Sequence, residues 1–492
     1  MLLDKTINDN SLVVLVWFRN NLRIGDNPSL DIASKSNSKI VPFFVWPGDS
    51  KYDTPVPNRT LWWLKESLHV LNSQLEKIDS RLIIRTGSSI ESITNLIKDT
   101  GAKSVYCDYG YETHQREIDY ELSLYLRKNL GVEMHFTRSN LLFDPSLVLN
   151  GNGRPYSVFS AFRKKCMSMA DIDNPVPAPN RLRSPKIWPD SEQISDVRIL
   201  SNSPVPNMLS KYWKPGEVTA KSYLKRFIDS DIGDYQSKRD LFSDNRTSKL
   251  SPFIRHGEIS LRQIWHAVGN SADVSRNDVG GYSFLRQLLW REFAYHTMIH
   301  FPKSTTSSVK REFDLFPWNI DEESLISWKF GKTGFPIVDA GMRELIETGW
   351  INNRIRMIVS SFLVKNLLIS WQQGAAWFKE LLVDGDDANN SLGWQWVSGC
   401  GVDQNPYFRI FNPITQSKRF DAEGTYIKKW VPELQSLSKL WIHEPSKAPR
   451  NELSKCGVKL GESYPLPIID HKYARDRALT AYTDFRKSLG EN

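Results

Sequence analysis

The chain has 492 residues, of which 40% are hydrophobic and 24% charged, and its formal net charge is +8 with an isoelectric point near 9.0. This length suffices for two or three domains, and the composition is that of an ordinary soluble protein rather than a disordered or fibrous one. The excess of basic residues permits an anionic partner such as nucleic acid. Four cysteines in so long a chain argue against a disulfide scaffold and predict a reducing compartment, which we expect to be the cytoplasm.

Residues 1–136 alternate short β-rich runs with amphipathic helices. The strand candidates are VVLVWF (13–18), IVPFFVW (40–46), LIIR (82–85), SVYC (104–107) and VEMHF (132–136). From Leu61 to Ile78 apolar residues recur every three or four positions, as on one face of a helix, and Gly101 ends another helical run as a C-cap. This alternation predicts a doubly wound parallel sheet that binds ligands beyond the carboxyl ends of its strands. The GxGxxG motif is absent, so a standard NAD-binding fold is not indicated.

Two further regions follow this α/β domain. From 137 to 215 the periodic pattern is lost, and repeated prolines indicate a long interdomain connector. From 216 to 492 helical periods dominate, which predicts an all-α domain.

Neither a membrane span nor a metal site is predicted. The most apolar later run, MIVSSFLVKNLLISW, is interrupted by Lys365 and is too short to cross a bilayer. His296 and His300 have a metal-like spacing, but no HExxH motif accompanies them, so we expect packed histidines. The spacing of the cysteines favours no zinc or iron–sulfur site.

Two helical segments combine arginine with aromatic or amide side chains. In YSFLRQLLWREFAYHTMIHF apolar residues surround the whole helix, which predicts burial, and Gln287, Trp290 and Arg291 share one face. A buried arginine needs an anionic partner. In GWINNRIRMIVSSFLVKNLLISW, Asn353 and Arg356 share a face. That face suits a polar aromatic ligand carrying phosphate, and it also suits a solvated basic stripe.

Two more segments supply carboxylates, hydroxyls and indoles. In LLVDGDDANN, Asp384 and Asp386 are candidates to pair with the buried arginines. The hydroxyls of NRTSKLSPFIRHGEIS suit a phosphate at a helix start or serve only as an N-cap. Trp394 and Trp396 stand two positions apart, about 200° around a helix axis, so one indole should face the interior and the other a cavity. Together the four segments predict an enclosed dinucleotide pocket that opens toward a basic surface.

Eight segments spread over almost the whole chain carry a family resemblance. They are VWFRNNLRIGDNPSL, RTSKLSPFIRHGEIS, LLWREF, KTGFPIVDAGMREL, ETGWINNRIRMIVSSFLVK, GWQW, PYFRIFNP and YPLPIIDH. The chain resembles the photolyase/cryptochrome family, and most closely its class I cyclobutane-pyrimidine-dimer (CPD) photolyases. This resemblance implies an α/β antenna domain, and a helical domain that holds FAD in a folded shape.

The resemblance also implies roles for individual residues. Flavin contacts are implied for Tyr235, Thr247, Ser248, Leu250, Ser251, Arg291, Asn353, Arg356, Asp384, Asp386 and Asn390, the last beside the flavin N5. An electron-transfer chain from the surface is implied for Trp318, Trp371 and Trp394. Contacts with the flipped lesion or its phosphates are implied for Arg239, Trp290, Asn353, Arg354, Met357, Trp396 and Arg409.

The implied function is light-driven repair of UV-damaged DNA by a deoxyribodipyrimidine photo-lyase, expected to be a monomer. In such an enzyme reduced FAD donates an electron to a flipped-out pyrimidine dimer, and the dimer then splits. Gln287 stands where dimer-repairing members usually have glutamate. This departure bears on repair yield and lesion choice, because an amide cannot supply a proton. Glu112 matches a position used for a folate antenna in some relatives. The resemblance allows a second, antenna chromophore in this domain, and the sequence does not choose among methenyltetrahydrofolate, a deazaflavin and a flavin.

Three alternatives stay open beside dimer repair. A cryptochrome would signal through its flavin, but such proteins often carry long C-terminal extensions, whereas about twenty residues follow YPLPIIDH here. A (6-4) photolyase would have a histidine pair where this chain has Asn352, Asn353 and Met357. A basic flavoprotein could also bind DNA without catalysis.

Overall fold

The computed structural model describes residues 12–47, 56–169, 171–197, 204–243, 246–270, 279–404 and 408–490. A parallel five-stranded sheet with the order β3-β2-β1-β4-β5 forms the first part of the chain. Its strands are β1 (Val13–Trp17), β2 (Lys39–Trp46), β3 (Ile83–Thr86), β4 (Ser104–Asp108) and β5 (Glu133–Thr137). The helices between them are α1 (Pro28–Lys35), α2 (Asn58–Glu76), α3 (Ser89–Thr100) and α4 (Thr113–Leu130). The prediction of a doubly wound parallel sheet is confirmed.

Both faces of this sheet are covered, which explains its continuous apolar strands. Val14 and Val16 of β1 point to one face, where they join the leucines of α2 in one buried cluster. Leu15 and Trp17 point to the other face and pack with residues of α3 and α4. Parallel strands buried on both sides therefore show little polar alternation.

Two short helices, α5 (Phe159–Ser168) and α6 (Val205–Leu209), lie within the predicted connector. The remaining helices are α7 (Glu217–Ser230), α8 (Tyr235–Lys238), α9 (Ser251–Arg255), α10 (Leu261–Gly269), α11 (Val279–His300), α12 (Glu322–Lys329), α13 (Pro336–Thr348), α14 (Asn353–Ser361), α15 (Trp371–Leu381), α16 (Asp387–Ser398), α17 (Pro413–Phe420), α18 (Thr425–Trp430), α19 (Arg450–Lys455) and α20 (His471–Ser488). A π-helical turn, Phe362–Asn366, continues α14. The prediction of a helical second part is confirmed, whereas the exact domain limits stay predictions.

The two parts of the molecule are joined through α2. Arg59 is buried and donates hydrogen bonds to the carbonyls of Leu345 and Leu381, at 3.0 and 3.1 Å, in the last turns of α13 and α15. Cationic donors at helix C-termini satisfy carbonyls that have no partner within the helix. One turn further along α2, Trp63 stacks on His256 with ring centroids 5.5 Å apart. These contacts hold the sheet domain beside the elements that carry the candidate site.

None of the described helices is apolar enough over sufficient length to cross a bilayer. Among the described residues there is also no group of three potential metal-ligating side chains. His296 is a buried, packed histidine, as predicted. Its Nε2 accepts a hydrogen bond from the backbone N–H of Tyr156 at 3.0 Å, and burial lowers its pKa to about 4.

Candidate functional site

Asp384 connects three elements of the helical domain. Its carboxylate accepts two hydrogen bonds from Arg356 Nη2 at 2.8 and 3.0 Å, and one from the Ser251 hydroxyl at 2.7 Å. Arg356 lies in the first turn of α14, and Ser251 begins α9. Trp350 Nε1 donates to the Ser251 hydroxyl at 3.0 Å. The sequence predicts that Asp384 pairs with a buried arginine. Its partner is an arginine, but the Arg356 side chain is 25% exposed.

A hydroxyl-rich turn precedes α9. Lys249 has a φ of 52°, a left-handed conformation that is uncommon outside glycine and that clusters at functional sites. The turn buries Thr247 Oγ1 without a hydrogen-bond partner among the described atoms, while the Ser248 hydroxyl accepts from Leu250 N at 3.3 Å. Leu250 and Tyr235 of α8 are also buried, with 1% and 8% of their surfaces exposed. A buried hydroxyl without a partner is the polar group that a bound ligand would satisfy.

Asp386 forms no ion pair with an arginine among the described residues, so the predicted pairing is not found there. It is the N-cap of α16, where its carboxylate accepts from the N–H and from the side-chain amide of Asn389, both at 2.7 Å. An aspartate in this position satisfies the free N–H groups of a helix start. On the same helix, Asn390 donates to the carbonyl of Ala375 at 2.9 Å, which ties α16 to α15.

Arg291 of α11 finds its main partner elsewhere in the chain. Its Nη1 donates to the carbonyl of Asn140 at 2.8 Å, and its guanidinium lies 4.4 Å from the ring centroid of Tyr295. The carboxylate of Glu292 is 3.9 Å away, and burial raises the pKa of this acid to about 7. Arg291 therefore holds α11 against the connector and lies outside the Asp384 network.

Trp394 and Trp396 lie on opposite sides of α16, as the spacing predicted. Trp394 is 2% exposed and packs against Phe378 and Trp328, with ring centroids 5.0 and 6.1 Å away. Trp396 is half-buried and lines a cavity of about 250 Å³. Gly374 allows the close packing of α15 on α16, because a Cβ there would lie 2.1 Å from Trp394 Cη2.

The other two tryptophans of the predicted electron chain belong to the same apolar cluster as Trp394. Trp371 is 1% exposed, and its Nε1 donates to the Ser308 hydroxyl at 3.4 Å. Trp318 is partly exposed at the edge of the cluster, where it packs on Phe316 with centroids 4.5 Å apart. Two of the three indoles thus lie in the interior, and the third lies at the edge of the same cluster.

The residues expected near a lesion are only partly brought together. Trp290 is half-buried, and one of its faces is covered by Phe159 at a centroid distance of 3.7 Å and an interplanar angle of 9°. Gln287 donates to the carbonyl of Ser283 at 3.2 Å, within its own helix. Arg409 is exposed beside the ring of Phe411.

The start of α14 carries the remaining predicted residues. Asn353 is exposed, and its amide lies 3.9 Å from the sulfur of Met357. Arg354 forms a two-nitrogen contact with Asp240, with Nη2 at 2.5 Å and Nε at 3.2 Å. Arg239, next in the chain to Asp240, lies 3.6 Å from the same carboxylate group. The positive charge of these arginines is therefore partly neutralised by one aspartate.

The predicted antenna region lies where the strand order reverses between β1 and β4, a common ligand position in open parallel sheets. Two polar atoms buried in the residues after these strands, Asn21 Nδ2 and the Tyr111 hydroxyl, have no hydrogen-bond partner among the described atoms. Glu112 is buried and lies 3.6 Å from Arg255 Nη2 of α9. It therefore also contacts the helical domain.

Two family models match the chain. The model described as DNA photolyase matches residues 14–180, and the model described as FAD binding domain of DNA photolyase matches residues 284–484. The deoxyribodipyrimidine photo-lyase of Agrobacterium fabrum is 41% identical, over 96% of this chain and 98% of the relative. The chain belongs to the photolyase/cryptochrome family. The family prediction is confirmed, and so are the predictions of FAD as cofactor and of a photolyase-type enzyme.

Two further comparisons bear on the position of this photolyase/cryptochrome protein within its family. Cryptochrome-2 of Arabidopsis thaliana is 34% identical, over 96% of this chain and 79% of the relative. A crystal structure of a bacterial class III photolyase from Agrobacterium tumefaciens matches with a TM-score of 0.92 and 40% identity, covering 97% of this chain and 98% of that one. The comparisons do not support the class I subgroup that the motifs suggested.

The residues present fit a flavin dinucleotide in a photolyase/cryptochrome protein. The unpartnered hydroxyl of Thr247 and the neighbouring Ser248 offer donors for phosphate oxygens. The Arg356–Asp384 pair offers a cation and an acceptor in the same network. Sequence reasoning missed Asp240, the partner of Arg354, because this contact joins residues that are far apart in the chain.

Proposed function

We propose that this protein is a DNA photolyase of the class III type, which uses FAD and blue light to split cyclobutane pyrimidine dimers in UV-damaged DNA. The observation that carries the proposal is the placement of Trp394 and Trp396 on opposite sides of α16. One side of this helix leads into an aromatic interior and the other into a basic cavity. This arrangement suits a cofactor held in the interior and nucleic-acid bases stacked on the indole at the cavity.

The Asp384 network would hold the cofactor, with Ser251 and Arg356 toward its polar parts and Thr247 and Ser248 toward its phosphates. The chemistry that FAD supplies when bound is light-driven electron transfer to the dimer, with return of the electron after splitting. The protein contributes orientation and charge, because the carboxylate and guanidinium are already fixed by one another.

Trp394, Trp371 and Trp318 would conduct an electron between the interior and the surface. Two of them are almost fully buried and the third is partly exposed within the same cluster, which supports Trp318 as the residue nearest the surface. Their role would be to restore the reduced state before repair, so they are not needed by an enzyme that is already reduced.

Trp396 would stack on the flipped dimer, which contributes roughly 1–3 kcal/mol per base. A dimer stacks poorly within duplex DNA, so its extrusion costs less than that of normal bases. Arg239, Arg354 and Arg409 would contact backbone phosphates, which makes binding weaker at high salt. Since Arg354 is paired with Asp240, its contact with a phosphate has to compete with that ion pair.

An antenna chromophore is proposed for the crevice after β1 and β4. Its support is the strand reversal at that position and the buried, unpartnered polar atoms of Asn21 and Tyr111. A folate, a deazaflavin and a flavin remain the candidates. Their visible absorbance differs, so the spectrum of the purified protein after removal of FAD distinguishes them.

Trp396→Ala tests the substrate side of the proposal. Loss of a stacking contact worth roughly 1–3 kcal/mol should weaken binding of dimer-containing DNA about 5- to 150-fold relative to undamaged DNA, with FAD content unchanged. Trp188→Ala, in the connector where the indole packs against the sheet domain, is the matched control. Loss of FAD with unchanged preference for the dimer would show that Trp396 faces the cofactor instead.

A cryptochrome photoreceptor is the second candidate, favoured by the 34% identity to Cryptochrome-2 of Arabidopsis thaliana. Gln287 also favours it, because its amide replaces the glutamate that dimer-repairing members usually have and cannot supply a proton. Reduced protein should be illuminated with oligonucleotides that contain either a cyclobutane dimer or a (6-4) product. Conversion of the first alone supports the proposal. Photoreduction of FAD without conversion of either lesion would favour the photoreceptor.

A further inference from the structure

A basic cavity of about 250 Å³ lies beside Trp396 and is closed on one side by the C-terminal helix α20. Four cationic side chains line it: Lys310, Lys365, Arg409 and Arg486. No aspartate or glutamate is among the described residues that line the cavity. A concave surface with one sign of charge concentrates the opposite charge, so this cavity attracts anions.

Lys365 is the most unusual of these four groups. It is 1% exposed, lies in the π-helical turn after α14, and no described carboxylate is within ion-pair distance of its ammonium group. Its Nζ donates to the carbonyl of Ser398 at 2.7 Å and lies 3.2 Å from the ring centroid of Phe408. Burial holds the pKa of this lysine well below its ordinary value. Without a counter-charge this burial favours the neutral amine, and an anion bound in the cavity would favour the ammonium form and pair with it.

The cavity wall is shaped for a group larger than a simple ion. Phe408 and Tyr482 stack with centroids 4.2 Å apart and an interplanar angle of 12°. The Tyr482 hydroxyl accepts from Arg486 Nη1 at 3.3 Å, which orients that guanidinium at the cavity. Guanidinium and ammonium groups beside aromatic rings are typical of surfaces that bind nucleic-acid strands.

We propose that this cavity is a phosphate-binding site that holds a backbone phosphate of the DNA strand, adjacent to the bases that contact Trp396. The inference rests on the proposed function, because Trp396 and Arg409 belong to both the cavity and the expected DNA surface. It extends that surface to Lys310, Lys365 and Arg486, so the C-terminal helix takes part in DNA binding. A free phosphate ion has the same chemistry and is the other source of the anion.

The test uses the full-length protein with FAD bound, in the dark. Fluorescence anisotropy measures binding of a labelled duplex with one cyclobutane dimer and of a dimer-free single-stranded oligonucleotide, from 50 to 200 mM salt. Arg486→Gln and Lys310→Gln should each weaken binding about three- to tenfold in both DNA arms. Each should also reduce the slope of log Kd against log salt by about 0.7–0.9, the value for one phosphate contact. Arg475→Gln, on the same helix but about 16 Å along its axis, is the matched control.

Three results separate the possibilities. Unchanged affinity and salt slope in both variants, in both DNA arms, would overturn the phosphate site. Calorimetric binding of inorganic phosphate that is lost in Arg486→Gln, with DNA binding unchanged, would overturn the DNA strand as its source. If wild-type protein shows no preference for the dimer-containing duplex, the proposed repair function fails, while the single-stranded arm still decides whether the cavity binds phosphate.

Discussion

Glu258→Gln is expected to prevent a loss of folding stability at rising pH. The loss arises where the sheet domain meets the end of α9. Glu258 is fully buried, with Oε2 3.1 Å from Trp63 Nε1 and Oε1 2.6 Å from the Ser67 hydroxyl. The Ser67 hydroxyl also lies 2.8 Å from the backbone carbonyl of Trp63, and a carbonyl can only accept a hydrogen bond. Since serine has one proton to donate, both contacts are satisfied best when Glu258 is protonated and donates to Ser67.

Burial raises the pKa of Glu258 from 4.5 to about 8. A raised carboxyl pKa means that the folded state binds the extra proton, so stability is fully present below pH 4.5 and is lost as the pH rises through about 8. The difference between these values, at about 1.4 kcal/mol per pH unit, bounds the loss at about 5 kcal/mol. A glutamine accepts from Trp63 and donates to Ser67 with the same shape, so the variant should escape this loss.

The assay is thermal unfolding of wild type and Glu258→Gln at pH 5 and pH 8. We expect similar melting temperatures at pH 5 and a more stable variant at pH 8, with the gap growing steadily between them. Parallel pH profiles for the two proteins would refute the reasoning, because they would show that Glu258 is ionised in the folded state. Glu452→Gln, at a surface ion pair with Lys455, controls for loss of a single carboxylate.

Three further predictions concern the candidate site. Asp384→Asn leaves Arg356 without its charged partner and disrupts the network proposed to hold the cofactor, so FAD content measured by visible absorbance should fall about tenfold. Full FAD occupancy would contradict the proposed role of this pair. Trp318→Phe should slow photoreduction without slowing repair by pre-reduced enzyme, and a repair defect in pre-reduced protein would count against an electron route through this residue. Gly374→Ala places a Cβ 2.1 Å from Trp394 Cη2, so thermal unfolding should show a loss of about 1–3 kcal/mol; an unchanged melting temperature would mean that α15 and α16 separate easily.

The sheet could be predicted closely from the sequence because its strands are buried on both faces. The apolar run VVLVWF predicted residues 13–18, and β1 is Val13–Trp17. The C-cap at Gly101 was also predictable and is confirmed by a left-handed φ of 66°. Both features depend on residues that are close in sequence, where chain periodicity and turn chemistry decide the structure.

The candidate site was predictable as a set of residues but less so as a set of contacts. Aspartate serves as both an ion-pair partner and a helix N-cap, so sequence spacing could not separate Asp384 from Asp386. Arg354 pairs with Asp240, more than a hundred positions away, and no local pattern predicts such a contact. Lys365 interrupts an apolar run in the sequence, but its burial against the Ser398 carbonyl and the Phe408 ring depends on residues distant in the chain.

The measurement that tests the account most directly is dimer splitting by chemically reduced protein under blue light. A CPD-containing oligonucleotide is incubated with the FAD-loaded protein, and intact dimer is quantified in illuminated and dark samples. We expect the dimer to disappear only in the light and its two pyrimidines to be recovered unchanged. Full retention of the dimer after illumination, by protein with bound and reduced FAD, would contradict the proposed repair function.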